Sequence, residues 1–258
     1  MALVRCDFFS DVLDVSTSMT VILPQSTDQI GMSGRAATGG HPTLYLLHGL
    51  TDDDSGWVRR TSIERYVAPL GLAVVMPQVG RSFYANMAHD DGDYWTFLSE
   101  ELPDLVHSFF NLSARREDTF VAGLSMGGYG ALKWALRQPE RFAAAASMSG
   151  ALDLATLVAR NDPERARLWA NVFGGQPVPG TPDDLLWLLG QADASTLPAL
   201  SVYCGTEDHL YDLNVTFRET ARRLGVPLAV DFGPGGHEWG YWDIKIQDFL
   251  AALPLGGG

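Results

Sequence analysis

The sequence predicts an α/β protein with a mostly parallel, mixed sheet and helices on both faces. Short apolar runs rich in β-forming residues alternate with helical patterns, and most of these runs are apolar throughout, as in strands buried on both faces. The first fifty residues contain strand patterns with no helix between them, which predicts an antiparallel start to the sheet. The 258 residues, of which 46% are hydrophobic and 19% charged, suit one domain spanning 1–258.

The individual elements follow from hydrophobic spacing. The runs predicted to form strands are Thr20–Leu23, Thr43–Leu47, Leu72–Met76, Thr119–Ala122, Phe142–Met148, Ala199–Tyr203 and Leu228–Phe232. The stretches with apolar residues at three- and four-residue spacing, predicted to form helices, are Ser62–Val67, Tyr94–Phe110, Met126–Arg137, Tyr211–Leu224 and Glu238–Leu253. This alternation of strand and helix is what a parallel sheet with covering helices requires.

Two stretches interrupt the alternation. Gln25–Pro42 is rich in Gly, Ser and Thr and is predicted to be a long, mobile, exposed loop. Residues 151–198 are longer than a simple crossover needs and contain helical patterns near Pro163–Val172 and Pro182–Leu189. We interpret this second stretch as a small helical cap, and we expect Gly256–Gly258 to fray.

Composition excludes several classes of function. Acidic residues outnumber basic ones by 31 to 18, giving a formal charge of −13, which disfavours a nucleic-acid or anionic-membrane partner. No apolar run is long enough for a signal peptide or a membrane span, so a cytoplasmic location is expected. Cys6 and Cys204 are too few for a disulfide framework and are expected to be packed thiols.

No metal and no cofactor are expected either. The acidic clusters Asp52–Asp54 and His89–Asp93 lack the twelve-residue calcium-loop pattern, so we interpret them as solvated loops or helix caps. The sequence has no phosphate-binding loop that ends in Lys-Ser/Thr, and no dinucleotide-binding glycine pattern opens a helix. Kinase and dehydrogenase functions are therefore excluded.

The clearest chemical signal is Gly123-Leu124-Ser125-Met126-Gly127, which follows a predicted strand and opens a predicted helix. A nucleophile at such a turn needs very small residues two positions before and after it, because the strand and helix backbones pass close by. Both positions are Gly. Ser125 is therefore the candidate nucleophile, and the Met126 N–H at the start of the helix is a candidate donor to an oxyanion.

A serine hydroxyl needs a general base, and on this type of turn the order along the chain is Ser, acid, His. Only His209 and His237 follow Ser125. His237 lies just after the last predicted strand, in a loop that could reach the nucleophile, and is the candidate base. His209 is interpreted as a loop or pocket-rim residue, because neighbouring side chains diverge and it adjoins the favoured acid.

The orienting carboxylate should leave the end of the preceding strand, where Ala199–Tyr203 leads to Asp208. Asp208 is the favoured acid, and its role would be to hold the tautomer of His237. Glu207 is a local alternative and Asp231 a distant one.

The loop after Thr43–Leu47 should supply the second oxyanion donor, for which the Leu50 N–H is the candidate. His48 lies upstream of the serine and is interpreted as a buried structural histidine. Among the aromatic residues near the candidate catalytic loops, Trp57, Tyr84 and Trp239 are predicted to form the wall of an acyl or alcohol pocket.

Together these residues resemble a known family. The motifs that carry the likeness are Tyr45–Gly49, Trp57, Val74–Pro77, Ser99–Pro103, Ala122–Gly128, Ser147–Gly150, Cys204–Asp208 and His237–Trp239. Over nearly its full length the sequence is similar to the esterase D-like α/β-hydrolases, the group that contains S-formylglutathione hydrolases, and most similar to small bacterial tributyrin-type esterases.

The resemblance implies an α/β-hydrolase fold and a triad of Ser125, Asp208 and His237, with Leu50 and Met126 as oxyanion donors. It also implies hydrolysis of small esters with short acyl groups, and a homo-oligomer. The Gln25–Pro42 insertion departs from the family pattern and leaves the early edge of the sheet open to question.

Several functions fit these residues. The leading hypothesis is a serine carboxylesterase that hydrolyses acetyl to butyryl esters through an acyl-serine intermediate. Within the same chemistry, S-formylglutathione thioesterase, acetylxylan or feruloyl esterase, and acyltransferase activities stay open. A non-catalytic binding protein with the hydrolase fold is the alternative of another class.

Overall fold

The computed structural model of the chain describes residues 1–29, 34–37, 39–89, 92–160 and 162–255. Parts of four sequence predictions lie outside the described residues. They are five positions of the Gln25–Pro42 loop, Asp90 and Asp91 of the second acidic cluster, Asn161 of the predicted cap, and the expected fraying of Gly256–Gly258.

In the described part of the chain, eight strands form one sheet. In chain order they are β1 (Ala2–Ser10), β2 (Val15–Leu23), β3 (Thr43–Leu47), β4 (Ala73–Pro77), β5 (Thr119–Leu124), β6 (Ala144–Met148), β7 (Ala199–Gly205) and β8 (Ala229–Gly233). Their order in the sheet is β1-β2-β4-β3-β5-β6-β7-β8. The pairs β1/β2 and β2/β4 are antiparallel and all other neighbours are parallel. The predicted mixed sheet with an antiparallel start is confirmed, although β1 itself was not predicted.

Helices cover both faces of the sheet. They are α1 (Gly56–Arg60), α2 (Ile63–Val67), α3 (Tyr94–Thr96), α4 (Leu102–Phe109), α5 (Met126–Arg137), α6 (Leu154–Ala159), α7 (Ala166–Phe173), α8 (Leu185–Gln191), α9 (Tyr211–Leu224) and α10 (Trp239–Ala252). The core between sheet and helices divides in two, with α1, α2 and α10 packed on one face and α4, α5 and α9 on the other. A π-helical turn over Phe97–Glu101 joins α3 to α4.

The central strands place the candidate site at one edge of the sheet. Every residue of β3 and β6 is buried, as are all residues of β5 after the first. The carboxyl ends of parallel strands lie at the same edge, so the loops after β3, β5, β7 and β8 meet there. These are the loops that carry the residues singled out by the sequence.

Three helices, α6 to α8, lie between β6 and β7, within the stretch 151–198. The described part of Gln25–Pro42 is anchored rather than fully exposed, since Thr27 and Gly34 exchange backbone hydrogen bonds and the Arg35 N–H donates to the Ala68 carbonyl. No helix in the described part of the chain is both long and apolar enough to cross a bilayer.

Candidate active site

Ser125 sits on a sharp turn between β5 and α5. Its backbone has φ +54° and ψ −117°, a conformation that few non-glycine residues adopt and that commonly marks a functional position. A Cβ at Gly123 would lie 2.4 Å from the Gly127 carbonyl carbon, and a Cβ at Gly127 would lie 2.3 Å from the Leu47 oxygen. The turn therefore closes only with glycine at both positions, which is the physical reason for the motif.

A line of hydrogen bonds joins Ser125 to His237 and Asp208. His237 Nε2 lies 3.0 Å from Ser125 Oγ, and His237 Nδ1 lies 2.9 Å from Asp208 Oδ2. The serine hydroxyl faces Nε2 and the carboxylate faces Nδ1, so the ring carries its proton on Nδ1 and offers the Nε2 lone pair to the hydroxyl. This arrangement can accept the proton of the serine as its oxygen attacks a carbonyl carbon.

The Asp208 side chain is fully buried, yet the pKa of its carboxyl lies below the ordinary value. Burial acts to raise this pKa, but the hydrogen bond and charge of His237, aided by the Leu210 N–H and the Ser149 hydroxyl, outweigh burial. The carboxylate therefore stays ionised in a buried position, where it can hold the orientation of the imidazole.

The two alternative acids, Glu207 and Asp231, bond to residues other than His237. Glu207 Oε2 accepts a hydrogen bond from the Gly235 N–H at 2.6 Å, and the Thr206 hydroxyl donates to its other oxygen. Asp231 forms an ion pair with Lys245 Nζ at 2.6 Å on the solvent side of β8. Neither carboxylate bonds to His237 within the part of the chain that the structure describes.

The two predicted oxyanion donors, Leu50 and Met126, both lie at the pocket that contains Ser125. Met126 is the first residue of α5, so its N–H has no carbonyl of a preceding helical turn to bond. Leu50 lies in the loop after β3, and both Leu50 and Met126 line the same pocket as Ser125. Backbone N–H groups beside a serine that attacks a carbonyl can stabilise the oxyanion that forms.

His48 is buried in the loop after β3 and bonds only to backbone among the described residues. The Val79 N–H donates to His48 Nε2 at 3.2 Å, so the ring proton lies on Nδ1 and is donated to the Gly49 carbonyl at 2.7 Å. Burial also lowers the pKa of His48, which keeps the ring neutral. His48 thus links the loop after β3 to the loop after β4 through hydrogen bonds to the backbone.

The structure corrects the predicted pocket walls at Trp57 and Tyr84. Both side chains are almost completely buried, and neither lines the pocket beside Ser125. The Trp57 indole N–H donates to the Leu47 carbonyl at 3.1 Å, and the Tyr84 hydroxyl donates to the His48 carbonyl at 2.9 Å. Their loops suggested solvent-facing rings, but the rings turn inward because each polar group satisfies a buried main-chain carbonyl next to the Leu50 loop.

The pocket itself has a volume of about 540 Å³ and mixes apolar walls with a charged rim. Trp239, one of the three residues predicted to form a pocket wall, lines it and packs edge-on against Trp57 with ring centres 5.2 Å apart. The remaining walls and rim include Leu50, Phe83, Leu124, Ala151, Leu157 and Trp242, with Asp52, Arg60, Arg165, His209 and Glu238 as polar members. This volume is within the range of small-molecule binding sites.

His209 lines the pocket. Its ring packs edge-to-face with the ring of His237, with ring centres 4.5 Å apart. Burial and the neighbouring His237 lower the pKa of His209. Asp208, His209 and His237 bring nitrogen and oxygen atoms within 4.8 Å of one another, a spacing that could suit a metal ion. His237 Nδ1 already faces Asp208 and Nε2 faces Ser125. These hydrogen bonds explain why the atoms of this cluster lie close together.

The sequence analysis missed Trp242 as a site residue. Its ring packs edge-on against His237, with centres 4.9 Å apart, and its indole N–H donates to Ser149 Oγ at 3.0 Å. Ser149 also has a positive φ, of +52°, at the end of β6. The available signal was helical spacing, since Trp242 lies three residues after Trp239 on the same helix face.

Comparison with known proteins identifies the family. A family model described as "Putative esterase" matches residues 10–253. An acetyl esterase of Caldicellulosiruptor saccharolyticus is 27% identical over 256 residues and covers 96% of each chain. Two Staphylococcus aureus structures are each 37% identical over 98% of each chain: fluorophosphonate-binding serine hydrolase F, with a TM-score of 0.86, and the S-formylglutathione hydrolase FrmB, with a TM-score of 0.83. The chain therefore belongs to this esterase family and is a carboxylic ester hydrolase with the α/β-hydrolase fold.

Proposed function

We propose that this esterase hydrolyses short-chain acyl esters, from acetyl to butyryl, through an acyl intermediate on Ser125. The observation that carries the proposal is the unbroken line from Ser125 Oγ to His237 at 3.0 Å and from His237 to Asp208 at 2.9 Å. A hydroxyl, an imidazole and a carboxylate in this order form the arrangement that activates a serine.

In the proposed mechanism Ser125 Oγ attacks the ester carbonyl carbon while His237 Nε2 takes the hydroxyl proton. Asp208 stabilises the imidazolium that forms, and the Leu50 and Met126 N–H groups donate to the oxyanion. Collapse of the tetrahedral intermediate passes the proton from His237 to the departing alcohol. Water then attacks the acyl-serine with His237 as base, which releases the acid and regenerates the hydroxyl.

The preference for short acyl groups rests on the pocket walls. Trp239 and Trp242 lie nearly perpendicular to each other, with ring centres 5.4 Å apart, and Phe83 and Leu157 also line the pocket. Bulky rings around a pocket of about 540 Å³ leave little room for a long chain beside the alcohol half of the ester.

A second candidate is hydrolysis of a thioester such as S-formylglutathione. The observation that favours it is the pair of arginines at the pocket rim, Arg60 and Arg165, whose guanidinium groups could pair with the carboxylates of a peptide-like thiol half. Asp52 and Glu238 lie at the same rim and oppose this effect. The acyl chemistry at Ser125 would be the same for both substrates.

Turnover measured on a matched panel separates these activities. The panel comprises p-nitrophenyl acetate, butyrate and octanoate, with S-formylglutathione, acetylated xylan and methyl ferulate. We expect kcat/KM to be highest for acetate or butyrate and to fall at octanoate. Activity confined to the thioester would refute the preference for small esters, and activity confined to xylan or ferulate would assign the enzyme to polysaccharide deacylation. Ser125→Ala measured on the same panel gives the background rate.

Three further features belong to the proposal. Residues 151–198 would act as a cap over the pocket, because Ala151, Leu157 and Arg165 of this stretch line it. The chain would work in the cytoplasm, in keeping with the free thiols of Cys6 and Cys204. It would also form a homo-oligomer, as its resemblance to the esterase D-like family implies.

A further inference from the structure

The outer edge of β1 is a long strand edge with no partner among the described residues. β1 is the terminal strand of the sheet and pairs only with β2, over all nine residues from Ala2 to Ser10. Strand edges of this length expose unpaired N–H and C=O groups, and proteins normally shorten, kink or cover them. The opposite edge, β8, is only five residues long. The long free edge of β1 is therefore a better candidate for pairing with another strand than the short edge of β8.

The two faces of β1 differ. Leu3, Arg5, Asp7 and Phe9 alternate along the exposed face, and the other face, with Val4, Cys6 and Phe8, is half-buried against the core. If a two-fold axis perpendicular to the sheet relates two copies, the exposed faces of both β1 strands lie on the same side of the combined sheet. Under this symmetry the two β1 strands pair antiparallel. The residue numbers of any two opposed residues then add up to the same even number.

One register satisfies every feature of the strand. When the axis passes through Cys6, the full nine residues overlap and Arg5 of each copy lies opposite Asp7 of the other. The same register sets Leu3 opposite Phe9, two apolar side chains that are 49% and 53% exposed in the single chain. Opposite charges and apolar side chains directly across a strand pair are stabilising.

The neighbouring registers are disfavoured. If the axis passes through Arg5 instead, the Arg5 residues of the two copies lie opposite each other. If it passes through Asp7, the two Asp7 residues do. Like charges directly opposite are destabilising, and each slip also shortens the overlap. The charge pattern therefore selects the register in which overlap is greatest.

Apolar surface continues beyond the strand. Phe109, near the end of α4, is 46% exposed and packs edge-on against Phe8, with ring centres 6.2 Å apart. Because Phe109 packs against Phe8 of the half-buried face, pairing through β1 would bring a second copy close to this ring. Burial of such surface adds a driving force that main-chain hydrogen bonds alone do not supply.

We propose that two copies of this chain pair through their β1 strands, antiparallel and centred on Cys6, to form a continuous sheet across a two-fold axis. Each copy has one β1 edge, so the contact is isologous and closes at a dimer. The inference rests on the proposed homo-oligomer and not on the proposed catalysis.

The first test uses the native cysteines. Opposed residues on the axis have Cα atoms about 4.5–5.5 Å apart, within the range that a disulfide spans. Mild oxidation with copper phenanthroline should therefore convert the wild type into a disulfide-linked dimer on a non-reducing gel. Cys204→Ser should behave like the wild type, because Cys204 is buried, and Cys6→Ser should give no crosslink. A crosslink that survives Cys6→Ser would overturn the proposal.

The second test exchanges charges and measures mass in solution by light scattering. Arg5→Asp places two acids opposite two acids, and Asp7→Arg places two arginines opposite two arginines. Each variant alone should dimerise roughly ten- to hundredfold more weakly, because two attractive contacts become repulsive. An equimolar mixture of the two variants should restore the dimer, since every contact is then between opposite charges. Recovery on mixing distinguishes contacts between chains from the Arg5–Asp7 ion pair within one chain.

Esterase turnover is measured alongside, since both side chains are exposed and lie outside the pocket. Retained turnover shows that each variant is folded. A monomeric wild type would refute both the proposed assembly and this surface. A dimer that neither single variant weakens would keep the assembly but overturn this surface, and neither result would bear on the proposed esterase activity.

Discussion

The groups proposed to assist Ser125 are of two kinds. His237 and Asp208 would act through their own side chains, which are joined to Ser125 by hydrogen bonds of about 3 Å. The proposed oxyanion donors, the N–H groups of Leu50 and Met126, belong instead to the main chain, and the buried Tyr84 hydroxyl bonds to the His48 carbonyl two residues before Leu50. Chemistry carried by side chains leaves a residue pattern in a sequence, whereas chemistry carried by backbone leaves only the need for a particular loop shape.

The largest expected effect tests the side-chain side of this comparison. Asp208→Asn should lower kcat roughly 10³- to 10⁴-fold with little change in fold, because the amide stabilises the wrong tautomer of His237 and no longer stabilises the imidazolium. The measurement is kcat/KM on p-nitrophenyl butyrate, with circular dichroism as a check of folding.

Glu207→Gln is the matched control for that substitution. Glu207 is the adjacent residue of the same loop, and in the Gln variant the amide oxygen can accept from the Gly235 N–H while the amide NH2 donates to the Thr206 hydroxyl oxygen. Its kcat should stay within about threefold of the wild type, since the residue does not bond His237. Near-normal turnover in Asp208→Asn combined with a large loss in Glu207→Gln would transfer the acid role to Glu207.

A smaller effect tests the backbone side. Tyr84→Phe removes the donor to the His48 carbonyl, two residues before Leu50, and so loosens the loop that presents the Leu50 N–H. Loss of a whole oxyanion donor costs about 10²–10³ in kcat, so loosening one should cost about tenfold, mainly in kcat rather than KM. The measurement is kcat and KM for p-nitrophenyl acetate.

Tyr129→Phe is the control for this variant. Tyr129 is also fully buried, and its hydroxyl donates to a backbone carbonyl, that of Asp183, at 2.8 Å. Both variants should lose a comparable amount of stability, about 1 kcal/mol, because each removes the hydrogen bond between a buried tyrosine hydroxyl and a main-chain carbonyl. Equal losses of kcat in the two variants would mean that Tyr84 acts only through general stability.

The smallest effect concerns pH. The folded-state pKa of Asp208 is depressed below its ordinary value of 3.8, so its contribution to stability is fully present above that value. The contribution is lost as the pH falls through the depressed folded-state pKa. Chemical unfolding from pH 5 downward should therefore show a steeper loss of stability in the wild type than in Asp208→Asn, which has no carboxyl to protonate. Identical slopes would indicate that the carboxylate is not held in the ionised form.

The same comparison explains what the sequence could predict. The Ser125 turn was predictable because Gly123 and Gly127 are required by contacts of 2.3–2.4 Å that no side chain could tolerate. Asp208 and His237 were predictable because polar residues that follow buried parallel strands must meet at one edge of the sheet.

The positions of Trp57 and Tyr84 could not be predicted in this way. Their partners are main-chain carbonyls, which are identical in every residue, so nothing in the sequence distinguishes a ring that braces a loop from one that lines a pocket. Strand β1 was missed for a related reason. Apolar and charged residues share its exposed face, with Leu3 and Phe9 beside Arg5 and Asp7, which breaks the alternation by which a half-buried strand is recognised.

The most direct test of the central claim is covalent labelling with a fluorophosphonate followed by intact-mass analysis and peptide mapping. A serine activated by His237 should displace fluoride, so the wild type should gain one adduct, located on the peptide that contains Ser125, and Ser125→Ala should gain none. Equal labelling of Ser125→Ala, or an adduct on another serine of the wild type, would contradict the assignment of Ser125 as the nucleophile.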